Sequence, residues 1–144
     1  MIVVSSCLCG INCKYSGENN LNENVLKLVN EGKAVPICPE QLGGLKTPRN
    51  PAEIIEKAGE IKVVTEAGAD VTDEFLLGAK RSLEIAKVLG AKKAILQRRS
   101  PSCGFGKIYD GTFSGKLIPG NGLTVRLFLE NGIEVISDEE YDRD

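Results

Sequence analysis

The chain has 144 residues, 42% of them hydrophobic, and a formal net charge of −2 with a pI near 5.3. One domain spanning 1–144 with its own core is therefore expected, and the acidic balance argues against nucleic-acid binding, which depends on neutralising many phosphates. No charged leader followed by an apolar stretch opens the chain, and no run approaches the roughly 20 apolar residues of a membrane span, so neither export nor membrane contact is expected.

Residues 2–5, IVVS, read as a short buried strand whose end delivers the loop SCLCGINCKYSGENN. Leu21, Val25, Leu28 and Val29 recur at helical spacing and are closed by Gly32. AVPI, residues 34–37, reads as a second strand ending at Cys38. The following PEQLGGLKTPRNP is expected to be a loop because of its three prolines and two glycines. AEIIEK and EIKVVT flank Ala58-Gly59 and predict a hairpin, with the 45–70 segment a candidate lid. Thr72 and Asp73 offer an N-cap to a helix running to Leu89, with Phe75, Leu76, Ala79, Leu83, Ala86 and Leu89 on one face and Gly90 as its stop. AKKAILQ predicts a third strand and RRSPSCGFG its terminal loop. The glycine-rich stretch from Gly111 to Gly122 carries no assignable pattern. Residues 123–130 then predict a helix, and IEVI at 133–136 a last strand.

Strands alternating with helices predict an α/β domain with a mostly parallel sheet flanked by helices on both faces. Such sheets bind ligands outside the carboxyl ends of their strands. Cys7 follows the first predicted strand, Cys38 the second and, after a short loop, Cys103 the third, so the three thiols are expected to converge at one sheet edge. Cys9 and Cys13 share the first loop with Cys7.

The chain contains no histidine, which excludes Cys–His and Ser–His nucleophile pairs. Five cysteines in 144 residues fall far below the roughly 8–10% of a disulfide scaffold, and an odd count leaves one unpaired. A reduced, cytoplasmic setting is expected, where clustered cysteines mean metal or catalysis more often than disulfides. Any single thiol is as readily an inert apolar side chain. No C-x-x-C redox pair is present, and the short-spaced knuckles of structural zinc are missing, so a zinc-stabilised binding module is the weaker reading. An iron-sulfur cluster tolerates ligands scattered over several loops. Three loops with one well-placed thiol each would leave one iron of a four-iron cluster open as a Lewis acid. The basic residues Lys92, Lys93, Arg98 and Arg99 read as solvated ends of elements before they read as an anion site.

In this order, SSCLCGINCKYSG, CPEQLGGLKTPRNPAEI and SPSCG resemble the motifs of the thiouracil desulfidase family, and the resemblance covers nearly the whole chain. It implies a Rossmann-like domain holding an oxygen-sensitive 4Fe-4S cluster on Cys7, Cys38 and Cys103, with one iron open. The implied reaction is a non-redox hydrolysis that removes sulfur from a small thiolated nucleobase. Glu40 and Ser100 match positions implicated in catalysis: the thiocarbonyl sulfur binds the open iron, Glu40 activates a water, and Ser100 positions substrate or relays a proton. Without imidazole, a carboxylate is the natural base. Arg49, between Pro48 and Pro51, and Ser102, beside Cys103, are candidate substrate contacts; Arg49 serves equally as an ion-pair partner of Glu40 or Glu53. Two positions depart from the pattern: Cys9 stands where an apolar residue is common, and Ser16 where an aspartate is. Cys9 and Cys13 are reserve ligands or carriers of released sulfur. The alternative function is a sulfide carrier that hands its cargo to a sulfur-accepting biosynthetic enzyme.

Overall fold

The computed structural model describes residues 1–143. In chain order its elements are β1 (Ile2–Ser5), α1 (Glu23–Asn30), β2 (Ala34–Ile37), α2 (Pro39–Leu42), β3 (Ala52–Lys57), β4 (Glu60–Thr65), α3 (Thr72–Leu89), β5 (Lys93–Leu96), β6 (Lys107–Tyr109), β7 (Leu117–Pro119), α4 (Leu123–Glu130), β8 (Glu134–Ser137) and α5 (Asp138–Arg143). Four of the strands form a wholly parallel sheet in the order β2-β1-β5-β8. Among the described residues no helix is long and apolar enough to cross a membrane.

Side-chain alternation sends neighbouring residues of each central strand to opposite faces. Val3, Ala94, Leu96 and Val135 pack with Leu83 and Ala86 of α3 and Val125 and Phe128 of α4. Val4 and Ile95 pack on the other face with Val25 of α1 and Tyr141 of α5. Both faces are therefore apolar, which is why these strands read as continuous hydrophobic runs. Each fully buried Val, Leu or Ile contributes about 1.5–3 kcal/mol. The α1 crossover lies on one face and α3 and α4 on the other, so the winding reverses between β1 and β5. A crevice opens there at the carboxyl ends of the strands.

Several elements differ from their sequence-based expectation. The first turn of the expected loop after Cys38 is helical: α2 has Cys38 as N-cap residue and Pro39 at its start, where the missing N–H costs nothing. Helix α3 begins at Thr72 without a side-chain cap, because the Thr72 hydroxyl instead accepts from Val63 N at 2.9 Å and bonds Asp70. The unassigned glycine-rich stretch forms the antiparallel hairpin β6–β7. The β3–β4 hairpin, the candidate lid, is packed down: Ile54 and Val63 join Phe75, Ile108 and Leu123 in a third apolar cluster. In this structure the hairpin is therefore part of the packed body of the domain.

Candidate active site

The crevice holds a cavity of about 500 Å³ lined by Cys7, Cys13, Cys38 and Cys103. Cys9 is not among its lining residues. Each thiol is delivered by a different local device. Cys7 lies in a one-turn 3-10 helix, Ser6–Cys9, that leaves β1 and is closed by Gly10 in the left-handed region; the chain then folds back and returns Cys13 to the same cavity. Cys38 leaves β2 directly. Cys103 sits in the SPSCG loop, whose carbonyls accept from the start of α4: Leu123 N bonds Pro101 O at 2.8 Å and Thr124 N bonds Ser102 O at 3.0 Å. The loop thus caps the orphan N–H groups of that helix and is held by them.

Helix α2 is held just as closely. A Cβ at Gly43 would lie 1.9 Å from Glu74 O, and one at Gly78 would lie 2.0 Å from Pro39 O. Gly43 has an ordinary φ of −80°, so it is needed for close approach to α3 and not for turning. A glycine inside the strongly periodic α3 is the sequence signal for such a crossing.

On the cavity wall, Glu40 of α2 meets the SPSCG loop. Its Oε1 accepts from Arg49 Nε at 3.1 Å, and its Oε2 accepts from Ser102 Oγ at 3.2 Å. Ser100 Oγ lies 3.3 Å from Ser102 Oγ and accepts from Cys103 N at 2.6 Å. Ser102 Oγ also lies 3.7 Å from Cys103 Sγ; a hydroxyl has one proton, so when Ser102 gives it to the nearer Glu40 it accepts from Ser100, which gives the chain Ser100→Ser102→Glu40. Ser102 is 1% exposed. The Arg49 guanidinium also donates to Cys13 O at 2.8 Å and to Thr47 Oγ1 at 2.9 Å, so its fork is occupied by protein partners. Arg98 and Arg99 line the cavity edge but pair with Asp138 and Glu139 at 3.3–4.0 Å.

Burial pushes the Cys103 thiol up to about 12, against the lowering pull of the Ser5 and Ser102 hydroxyls. Cys38 is raised further, by its contact with the Cys13 thiol and then by burial. For Cys13 the Cys38 contact lowers the value, but the Cys7 contact and burial outweigh it and carry it up to about 11. These three thiols are accordingly protonated at neutral pH. Among the described residues no three Cys, Asp or Glu side chains lie close enough to hold a single metal ion. Cys13 touches Cys7 and Cys38 within this cavity and Cys103 lines it too, an all-sulfur donor set drawn from several loops, of the kind that a thiolate-bound polynuclear group accepts.

The structure is an α/β domain in which thiols from three strand ends line one cavity, with a carboxylate–serine chain on its wall. The chain belongs to the 2-thiouracil desulfurase family, which it matches over residues 2–140. It is 51% identical over 146 residues to the protein YbbK of Bacillus subtilis (strain 168), with 97% of each chain covered. Among solved structures it is similar to the 4Fe-4S-dependent thiouracil desulfidase TudS, with a TM-score of 0.89 and 42% identity over 99% of this chain and 93% of that one.

Proposed function

We propose that the protein is a 4Fe-4S-dependent desulfidase that hydrolyses the C–S bond of a small thiolated nucleobase. The observation that carries this reading is the convergence of Cys7, Cys38 and Cys103 on one cavity whose wall is the Glu40–Ser102–Ser100 chain. Cys7, Cys38 and Cys103 would hold the cluster. When bound, the cluster supplies an open iron, a Lewis acid to which a soft thiocarbonyl sulfur is well matched.

This chain's own residues do the rest. Arg49 fixes Glu40 through Oε1 and Ser102 donates to Oε2, whose second lone pair takes a proton from the attacking water. Ser100, less buried than Ser102, orients the substrate and exchanges protons with Glu40 through the Ser102 hydroxyl. Arg49 and Ser102 therefore act by positioning Glu40. Water oxygen replaces sulfur: a thiocarbonyl and one water give a carbonyl and one hydrogen sulfide, so no oxidant or reductant is consumed.

The test is anaerobic reconstitution, iron quantification, and incubation with 2-thiouracil. About four irons per chain with repeated release of uracil and sulfide is the expected result. One equivalent of sulfide held without turnover would instead mark a sulfide carrier serving a partner enzyme, and stoichiometric zinc without colour would overturn both.

A further inference from the structure

Resting on the desulfidase reading, we propose that Phe113, on the β6–β7 hairpin, is a stacking residue that makes the cavity select a planar heteroaromatic ring over an acyclic thiocarbonyl compound. The chain has only seven aromatic residues. Four of them, Phe75, Phe105, Phe128 and Tyr141, belong to or pack against the three apolar clusters of the core. The other three, Tyr15, Tyr109 and Phe113, all line the thiol cavity. No aromatic residue is spent elsewhere, and a flat ring is the ligand that aromatic faces recognise with least loss of conformational freedom.

Phe113 is singled out by its backbone. Its φ of +57° lies in the left-handed region, which a bulky L-residue rarely adopts and which glycine would occupy without strain. The conformation is imposed from outside. Phe113 N and Gly111 N donate to the same oxygen, Glu53 Oε1, at 3.1 and 2.9 Å, and Glu53 is a buried carboxylate of β3. A Cβ at Gly111 would lie 2.9 Å from Ile54 O, so the hairpin sits hard against β3. Strain held in place by a buried charge is typical of positions where a side chain must be presented for function. Glycine would adopt this backbone without strain, so the conformation gives no reason of its own for a ring here.

The experiment uses anaerobically reconstituted holoprotein, wild type, Phe113→Gly and Phe113→Trp, with 2-thiouracil as the ring substrate and thioacetamide as the acyclic control. Binding is read by calorimetry and turnover by product release. Phe113→Gly is expected to weaken 2-thiouracil in Kd and KM by about fivefold to a hundredfold, the range of one base–aromatic stack. It should leave the thioacetamide constants unchanged and Tm no lower than wild type, and Phe113→Trp should restore ring affinity. Unchanged ring affinity, or an equal loss for both compounds, overturns the proposal. Wild type that binds 2-thiouracil without releasing uracil sinks the desulfidase reading while the Kd comparison still decides the stacking role. Wild type that does neither overturns both.

Discussion

Replacing Gly78 by alanine sets two known effects against each other. In an exposed helix interior the change stabilises by about 1 kcal/mol, because alanine has the higher helix propensity. At the α2–α3 crossing the new Cβ would lie 2.0 Å from Pro39 O, and real Cβ contacts under 3.0 Å essentially never occur, so the backbones must part by at least 1.0 Å (3.0 less 2.0). Helix α3 is 18 residues long with a buried face, whereas α2 is a single turn of four; α2 is the element that moves. It carries Glu40 and is capped by Cys38, so the proposed ligand and the proposed base are displaced together. Overpacking costs about 1–3 kcal/mol, leaving a net change between about zero and 2 kcal/mol of lost stability and a Tm lowered by a few degrees. The effect on turnover is larger, since a displacement near 1 Å at a reacting group costs about a hundredfold. Iron content, Tm and kcat of Gly78→Ala, measured anaerobically, test this. A variant with raised Tm, a full complement of iron and unchanged kcat would refute the close-approach argument.

The remaining expectations concern single groups. Glu40→Gln keeps its iron and its cluster absorption but loses about 10²- to 10⁴-fold in kcat; wild-type turnover in this variant removes Glu40 as the base. Arg49→Lys keeps the charge but cannot engage Glu40 Oε1, Cys13 O and Thr47 Oγ1 together. It should lower kcat with little change in KM, and a rise in KM alone would make Arg49 a substrate contact. Alanine at Cys7, Cys38 or Cys103 abolishes iron retention, whereas Cys9→Ser and Cys13→Ser retain four irons per chain; iron lost from either serine variant refutes the three-ligand set. The metal-free protein has a defined pH response. Its Cys13, Cys38 and Cys103 thiols titrate above the ordinary value of about 8.5. The stability they contribute is therefore complete below about pH 8.5 and is lost as pH rises toward about 11 and 12. Urea titrations of reduced metal-free protein should show the midpoint falling above about pH 8.5, and a midpoint that rises there contradicts the assignment.

What was legible in the sequence divides along the range of the interactions involved. The four sheet strands announce themselves because burial on both faces makes them short continuous apolar runs. The amphipathic α1, α3 and α4 announce themselves by period, and from their alternation the sheet edge shared by Cys7, Cys38 and Cys103 followed. Helix α2 was hidden because one turn has no period to detect; its stability comes from α3, across a glycine contact 35 residues away in sequence (78 less 43). The β6–β7 hairpin was hidden because its strands are three residues each and its connecting loop is held from outside, by Glu53 of β3.

The division between Cys9 and Cys13 shows the same limit at a single site. Spacing gives both equal standing beside Cys7, yet only Cys13 lines the cavity. The cause is the left-handed Gly10, which ends the 3-10 turn and bends the chain back, together with Arg49, which grips the Cys13 carbonyl at 2.8 Å from a loop 36 residues away. Arg49 is also the residue that fixes Glu40. One guanidinium therefore sets the relative placement of the first-motif loop and the candidate base, so the three motifs are coupled parts of one cavity. A chain that kept all the cysteines but lost Arg49 would keep the ligand set and lose the alignment of Glu40 with it, which is why the kcat of the Arg49→Lys variant reports on the architecture more directly than its iron content does.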